Sequence, residues 1–374
     1  MNPHSSSTSS SSDTDRSIQP HWREAARVVL WTVAFLVLFD VAIGLTIPGN
    51  SLRGGAEFLF NSGLSNERKL RQALASEEGE SPLLLDYGWI GDWHDQPSAA
   101  SDNSHTLVAS YGMSFSHRVS QQLPSLDDGI ELRLIGGPGA PLNHAFASYL
   151  EDRDRHNADV VVLGVLASSL PMLRSMNQLT CTEIPAVYTY PRFFIDDKEQ
   201  LQAVKPVIAT VEEMRSAAHD PEAWQRFVAQ LRDHDGYYSP VNFRQDAMDH
   251  SAIARVLRRA WGQRHYRQVR AEAYGRDGFD LASETVQVAR AIVREFGRTA
   301  REDGRTPLVI LFDNTSLDNL DRALRPTLEE HAIPFVSSHE IAPSTDPTVF
   351  LPDRHFTPEI DRKIAAAALQ ALGR

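Results

Sequence analysis

Ser114 stands where a chain of this pattern would present a nucleophile. An apolar run at 107–109, typical of a buried strand, leads through Gly112 to Ser114, and a helix-like segment follows at 115–123. The free N–H groups and the positive dipole end of a helix N-terminus stabilise an oxyanion that forms beside such a serine. The alternative is structural, because serine is also a common N-cap residue at a strand-to-helix turn.

Asp353 and His355 supply complementary groups near the C-terminus. They lie two residues apart, directly before an amphipathic helix predicted at 360–372. An aspartate that orients a histidine, and a histidine that takes a proton from a serine, are the parts of acyl transfer. The order along the chain is serine, aspartate, histidine. His117, three residues after Ser114, is a competing base by position, and a helix-surface role is the alternative for it.

At these two stretches the chain resembles the SGNH (GDSL-like) hydrolase superfamily. That family opens with a Gly-Asp-Ser block after its first strand and closes with an Asp-x-x-His or Asp-x-His block before its last helix. The stretches here are 112–116, Gly-Met-Ser-Phe-Ser, and 353–359, Asp-Arg-His-Phe-Thr-Pro-Glu. The short Asp-x-His form, followed by an aromatic residue and Thr-Pro-Glu, looks most like the alginate O-acetyltransferase branch. The resemblance covers roughly residues 104–374, with a break in the middle.

The resemblance implies roles for individual residues. Ser114 would be the nucleophile, His355 the general base, and Asp353 the residue that holds the imidazole tautomer. In SGNH enzymes a glycine after the second strand donates its N–H to the oxyanion. In the Gly-Gly-Pro-Gly stretch of this chain, Gly139, or else Gly137, matches that position. Together with the N–H of Ser114 it would form the oxyanion hole. A simple turn is the alternative for these glycines.

Two positions depart from the family pattern. Met113 replaces the aspartate of the first block, and the third block, which begins at Gly164, lacks the usual asparagine. Ser168 is the expected substitute donor, with Ser169 and Asn177 as alternatives. Loss of one oxyanion donor typically costs ~10²–10³ in rate. A catalytically degenerate domain that only binds glycan therefore remains an alternative.

Strands that alternate with helices predict an α/β fold. Short apolar runs recur between helix-like segments, which favours a parallel sheet in a three-layer α/β/α arrangement. Sites in such sheets form at the carboxyl ends of strands, where Ser114, the glycine stretch and Ser168 would all lie. The predicted strands are 107–109, 131–135, 159–164, 306–312 and 333–336.

Three further residues are candidates for substrate binding. Tyr190 and Arg192 lie near the start of 179–280, a segment too long for a simple connection and therefore predicted to be a helical insertion. Aromatic rings beside an arginine can stack on sugars, and the alternative is that they form the hydrophobic base of a cap. Asn314 follows the strand at 306–312 and would lie on the site side of the sheet.

The N-terminal region carries a predicted membrane anchor. At ~1.5 Å rise per residue, the apolar run 28–47 is long enough to span a ~30 Å hydrocarbon core. We therefore divide the chain into a disordered cytoplasmic tail at 1–24, a transmembrane anchor at 25–48, a stalk at 49–104 and an SGNH-like catalytic domain at 105–374. A cleaved signal peptide is the alternative, although its apolar region is usually only ~7–15 residues long.

Charges around the span predict its orientation. Arginines at 16, 23 and 27 precede the span, and one arginine, at 53, follows it closely. The positive-inside rule then places the N-terminus in the cytoplasm and the main domain in the periplasm or outside the cell. Asp40 lies within the span, where a carboxylate is costly. It indicates either a membrane-protein partner or a position near the outer interface.

Composition argues against several other function classes. The formal net charge of −12 argues against nucleic acid or an anionic membrane surface as the main partner, because both are bound by basic surfaces. Cys181 is the only cysteine, so no intrachain disulfide can form and no zinc cluster is indicated. No metal or other cofactor is implied.

The resemblance implies a serine esterase or O-acyltransferase, and the apolar run at 28–47 implies that it is anchored in a membrane. Its substrate would be an acylated glycan or a small acyl ester, and the acetyl esters of a cell-surface or secreted polysaccharide are the suggested target. The alternatives come from other classes. One is a glycan-binding domain without chemistry, and the other is a membrane-assembly component, which is suggested by Asp40 and the helical insertion.

Overall fold

Five parallel strands form the central sheet of the computed structural model, which describes residues 22–47, 55–76, 81–93, 95–182, 186–315 and 320–374. The strands in these residues are β1 (Thr106–Gly112), β2 (Ile130–Gly136), β3 (Val160–Leu166), β4 (Arg192–Ile195), β5 (Leu201–Val204), β6 (Tyr274–Gly275), β7 (Gly278–Phe279), β8 (Thr306–Phe312) and β9 (Phe335–Ser337). The order in the main sheet is β2-β1-β3-β8-β9, and all its neighbours are parallel. The prediction of an α/β fold with a parallel sheet is confirmed.

Helices connect these strands and precede them. In chain order they are α1 (Trp22–Thr46), α2 (Ala56–Asn61), α3 (Asn66–Ala75), α4 (Ser114–Ser120), α5 (Leu123–Leu126), α6 (Leu142–Asp152), α7 (Gln178–Cys181), α8 (Val211–His219), α9 (Pro221–His234), α10 (Pro240–Phe243), α11 (Ala252–Ala271), α12 (Glu284–Glu302), α13 (Leu320–Glu330), α14 (Ser338–Ile341) and α15 (Pro358–Ala371). Short 3-10 turns lie at Arg153–Arg155, Ala167–Arg174, Ala247–His250 and Pro347–Val349.

Successive side chains along the strands are buried alternately in two separate hydrophobic cores. Leu107, Ala109 and Tyr111 of β1 belong to one core together with residues of α6, α12 and α13. Val108 of the same strand belongs to the other core, with residues of α4 and α15. This is the period-two alternation of a strand, and burial of both sets explains why the strands are almost entirely apolar.

The region predicted to be a stalk packs against the insertion instead, as far as it is described. Leu70 of α3 and Trp89 are buried in a third core, with Trp224 and Phe227 of α9. Arg133 of β2 also donates to the carbonyls of residues 96 and 97, at 2.9 Å each. Two loop-like stretches, 77–82 and 97–104, suggested a stalk. The described apolar residues of this region pack against partners that lie far away in the sequence, which the local pattern does not show.

α1 is the one helix in the described part of the chain that is long and apolar enough to cross a membrane. Asp40 in this helix accepts hydrogen bonds from Ser251 Oγ at 3.0 Å and from the backbone N–H of Ile253 at 2.8 Å. Its carboxylate therefore lies at the N-terminus of α11, where a negative charge is favourable. Most of the predicted tail, residues 1–21, lies outside the described residues.

Candidate active site

Ser114 lies at the point where the winding of the sheet reverses. From β1 the chain continues to β2 on one side, and β3 lies on the other side, so the carboxyl end of β1 is a switch point where open α/β sheets bind ligands. Ser114 is the first residue of α4, two residues after β1 ends. Two glycines let α4 approach the sheet closely. A Cβ atom on Gly112 would lie 2.1 Å from Ser116 Oγ, and one on Gly164 would lie 1.7 Å from it.

Ser114 and His355 are in direct contact. Ser114 Oγ lies 2.7 Å from His355 Nε2, although 241 residues separate them in the sequence. With the imidazole proton on Nδ1, the serine hydroxyl donates to Nε2, which is the geometry for transfer of that proton. The side chain of His355 is 24% exposed and Ser114 is half-buried, so the pair lies at the surface and a substrate can reach it.

Asp353 lies beside the other imidazole nitrogen. His355 Nδ1 is 3.1 Å from Asp353 Oδ2, but the ring N–H is not aligned with this oxygen, so the contact is not an in-line hydrogen bond and is an ion pair only when the imidazole is protonated. The backbone N–H of His355 donates to Asp353 Oδ1 at 3.1 Å. The pKa of Asp353 is held below its ordinary value mainly by this hydrogen bond from the backbone N–H and, to a smaller extent, by the neighbouring imidazole. Asp353 is 63% exposed, so water screens its charge.

A strained turn carries the Asp-x-His pair. Arg354 has φ +70°, a left-handed conformation that side chains other than glycine rarely adopt. The backbone N–H of Leu351 donates to the carbonyl of His355 at 2.7 Å, and Phe350 pairs with Phe356 in an antiparallel bridge. These contacts close the turn before α15 begins. Strain of this kind is concentrated at functional sites in proteins.

Side chains on α4 and α15 fix the position of His355. The ring of Phe115 lies 4.9 Å from the imidazole ring, centroid to centroid. Arg118 donates to Asp361 Oδ2 and to the carbonyl of Phe356, both at 3.0 Å. Burial raises the pKa of Asp361, and Arg118 opposes that rise. This clamp was not predicted, because its only signal in the sequence is an arginine one helical turn after Ser114.

The glycine loop after β2 is braced from the insertion. Gly139 has φ +64°, which explains the glycine at this position. Tyr188 donates from its hydroxyl to the carbonyl of Pro138 at 2.7 Å, and Gln178 donates to the carbonyl of Gly139 at 3.3 Å. No acceptor within the described residues takes the N–H of Gly139. At Gly137 a Cβ atom would come within 2.9 Å of the Cα of residue 88, so close packing accounts for that glycine.

Ser168 and Asn314 bind each other across the ends of β3 and β8. The backbone N–H of Ser168 donates to Asn314 Oδ1 at 3.2 Å, and Asn314 Nδ2 donates to Ser168 Oγ at 3.0 Å. Arg270 of α11 donates to the carbonyl of Ser168 at 3.0 Å. Both predicted residues therefore lie at the carboxyl edge of the sheet. The N–H of Ser168 is already engaged, which leaves its hydroxyl proton as the group that could meet an oxyanion.

Tyr190 and Arg192 are held within the packing of the insertion. Tyr190 is completely buried, and its hydroxyl lies 2.5 Å from Ser175 Oγ. Arg192 donates to the carbonyl of His234 and to Glu284 Oε1, both at 2.7 Å. Neither residue is hydrogen-bonded to Ser114 or His355.

His117 does not bond to Ser114 either. Its imidazole is largely buried beside the end of β2, and burial lowers its pKa. Among the described residues, no group of three His, Cys, Asp or Glu side chains could hold a metal ion.

The comparisons with known proteins give no relative. No model of a protein family, no curated protein and no solved structure matches the chain. The functional assignment therefore depends on the geometry of the site and on the resemblance in its two motifs.

Proposed function

We propose that this protein is a membrane-anchored, outward-facing serine esterase or O-acyltransferase of the SGNH type. The observation that carries the proposal is the 2.7 Å contact between Ser114 Oγ and His355 Nε2. These two residues come from opposite ends of the domain, so only the fold brings them together. The two cores on the sheet support the three-layer arrangement of that superfamily.

The geometry supports a two-step acyl transfer. Ser114 Oγ bonds to the acyl carbon while His355 Nε2 takes the hydroxyl proton, and the N–H groups of Ser114 and Gly139 hold the oxyanion. The oxyanion then collapses and the ester C–O bond breaks, while His355 returns its proton to the leaving alcohol. Water or a sugar hydroxyl next attacks the acyl-serine, with His355 again as base, and frees Ser114. Asp353 stabilises the imidazolium in both steps.

The exposure of the site favours a large substrate. Ser114 is half-buried, His355 is partly exposed and Asp353 is mostly exposed. A pair that lies in an open surface position suits acetyl esters on a polysaccharide, because a polymer cannot enter an enclosed pocket.

Two observations favour the alternative of a binding domain without chemistry. His355 Nδ1 is not aligned with Asp353, and Ser168 has its N–H engaged by Asn314. The third hypothesis, a membrane-assembly component, was suggested by Asp40 and by the helical insertion. Asp40 accepts hydrogen bonds within the chain, from Ser251 and Ile253, so its carboxylate no longer calls for a partner protein.

The test is turnover of 4-nitrophenyl acetate by the full-length protein in detergent micelles. We expect Ser114→Ala and His355→Ala to lower kcat by about 10³-fold or more, because each removes a member of the reacting pair. Ser116→Ala is the matched control. This serine lies two residues away, and its buried hydroxyl has no partner within the described residues, so its loss should change turnover less than twofold.

A second readout separates an enzyme from a binding domain. A fluorophosphonate probe should label the parent protein at Ser114 and leave Ser114→Ala unlabelled. If the parent and all variants show the same background hydrolysis and no labelling, the enzyme proposal fails, and polysaccharide binding becomes the function to measure.

A further inference from the structure

Two large apolar side chains of α11 lie exposed on the surface. Leu257 is 62% exposed and Trp261 is 60% exposed. Among the described residues outside α1, they are the most exposed large aliphatic side chain and the most exposed tryptophan. They lie four residues apart and therefore share one face of the helix. Arg264 and Gln268, both exposed, continue this face, so it is apolar near the start of α11 and polar further along.

The apolar end of this face begins at the anchor. Asp40 of α1 accepts hydrogen bonds from Ser251 Oγ at 3.0 Å and from the backbone N–H of Ile253 at 2.8 Å. Ile253 lies one turn before Leu257 on the same side of α11. The segment that follows the anchor also packs on this helix, since Arg255 donates to Asn61 of α2 at 2.7 Å. Two separate contacts therefore hold the start of α11 beside α1.

The position of Asp40 along α1 sets the depth at which α11 begins. Asp40 lies seven residues before Ile47, the last residue of the apolar run, which is about 10 Å at a rise of ~1.5 Å per residue. With the N-terminus of α1 in the cytoplasm, Ile253 would lie about 10 Å below the outer end of the run. Trp261 follows Ile253 by about 12 Å along α11. A helix that rises from this depth therefore regains the interface close to Trp261, and tryptophan is enriched there.

The start of α11 is also suited to an apolar environment. The first N–H groups of a helix have no partner within the helix, and they are costly to bury in lipid unless another group accepts from them. The N–H of Ile253 has the carboxylate of Asp40, and the N–H of Ala254 donates to Ser251 Oγ at 3.1 Å. A carboxylate at membrane depth is likewise costly without partners. The contact between α1 and α11 reduces both costs.

We propose that the first half of α11 enters the outer leaflet of the bilayer, with Leu257 among the acyl chains and Trp261 at the interface. The inference rests on the membrane-anchor part of the proposed function and is independent of the chemistry at Ser114. A bilayer fits this face better than a partner protein, because the face is continuous with α1, whose apolar side chains are themselves exposed. The contact is apolar, so it requires no anionic lipid and agrees with the acidic net charge.

The experiment measures the depth of a fluorescent label on single cysteines introduced into the full-length protein. Cys181, the only native cysteine, is completely buried, so a maleimide dye reacts at the introduced position. Each labelled variant is placed in phosphatidylcholine nanodiscs with or without nitroxide-labelled acyl chains, and iodide is the quencher in the water. We expect the label of Leu257→Cys to be quenched by the lipid and protected from iodide, at a depth of about 5–10 Å.

Val207→Cys and Arg264→Cys are the matched controls. Val207 is a 50% exposed apolar residue of the insertion outside α11, so iodide and not the lipid should quench its label. Arg264 is exposed about 10 Å beyond Leu257 on α11, so the lipid should quench its label less than that of Leu257→Cys. If the Leu257→Cys label behaves like the Val207→Cys label, the inference is overturned. Protection from both quenchers also overturns it, because a protein surface, such as a second copy of the chain, would then cover this face.

A label within α1 separates failure of this inference from failure of the anchor. Leu36 lies in the middle of the span, so quenching of the Leu36→Cys label by the lipid tests the anchor alone. If this label is quenched and that of Leu257→Cys is not, the anchor stands and the contact by α11 is rejected. If neither label is quenched, the anchor is rejected, and this inference with it.

Discussion

Replacing Arg118 by glutamine should loosen the contact between Ser114, on α4, and the loop that carries His355. Arg118 lies one helical turn after Ser114 and holds both Asp361 and the carbonyl of Phe356, the residue that follows His355. Glutamine is too short to make both bonds and carries no charge. The loop that carries His355 would then be free to shift relative to α4.

The size of the effect follows from burial. Asp361 is 2% exposed and Arg118 is 31% exposed. Two charges 3.0 Å apart attract by about 5 kcal/mol at an effective dielectric constant of ~20, and water at Arg118 screens part of this energy. We therefore expect the free energy of unfolding to fall by about 2–3 kcal/mol at pH 7, just below the ~3–5 kcal/mol for breaking a fully buried pair. A shift of ~1 Å at His355 Nε2 should lower kcat about 10²-fold.

The double variant Arg118→Gln/Asp361→Asn separates charge from position. It should recover about 1–2 kcal/mol, because no unpaired carboxylate remains buried, but not the turnover, because the bond to Phe356 is still missing. Unfolding is followed by circular dichroism, and turnover with 4-nitrophenyl acetate. Arg362→Gln on α15, which removes an exposed bond to Ser125, is the control and should change stability by less than about 0.5 kcal/mol. The reasoning is refuted if Arg118→Gln matches the parent in both measurements, or if the double variant regains full turnover.

Three further predictions concern stability. Gly164→Ala should lower the free energy of unfolding by about 1–3 kcal/mol, because the new methyl group meets Ser116, and Ser116→Gly should restore most of the loss. Ala332→Gly should stabilise the protein by about 0.5–1 kcal/mol, because residue 332 has φ +49° at the end of α13. Burial lowers the pKa of His144 to about 4. Between pH ~6.5 and ~4 this histidine is therefore protonated in the unfolded chain but neutral in the folded protein. Its contribution to stability, up to about 3 kcal/mol, should therefore be lost as the pH falls from ~6.5 to ~4, and His144→Gln should flatten this dependence.

Each of these predictions has a result that would contradict it. Unchanged denaturation of Gly164→Ala would show that α4 does not lie as close to β1 and β3 as described. A lower melting temperature for Ala332→Gly would mean that the entropy of the unfolded chain outweighs the relief of strain. Equal pH dependence for the parent and His144→Gln, measured as melting temperature between pH 4 and 7, would assign acid unfolding to other groups.

The sequence predicted the elements that form the site because their signals are local. The apolar run before Ser114 and the apolar run before Asn314 both lie in strands of the sheet, and their ends face the same edge. The strands needed only period and length to be predicted. The pairing of His355 with Ser114 was expected from the chemistry of serine, aspartate and histidine in that chain order and from the resemblance of the two motifs to the SGNH superfamily.

The contacts that position these residues could not be predicted, because they join distant parts of the chain. Arg118 and Asp361 are 243 residues apart, and Asp40 and Ser251 are 211 apart. The local sequence around a charged residue does not indicate which distant residue it will pair with. Tyr190 illustrates the same limit. From the sequence, its ring could stack on a sugar or pack in the core, and only the fold shows that it is buried.

The bonds of Asp40 to α11 also restrict where the domain can work. A domain joined to its anchor through the chain alone can rotate about that point and sweep a hemisphere above the membrane. Under the proposed function, in which α1 is the membrane anchor, the second attachment, at Ser251 and Ile253, would remove most of this rotation, so Ser114 and His355 would stay at one height and face one direction. Reaction would then be confined to a thin layer parallel to the bilayer. Acceptors would be modified as they cross that layer, and the rate would depend on their flux through it rather than on their concentration in the surrounding volume.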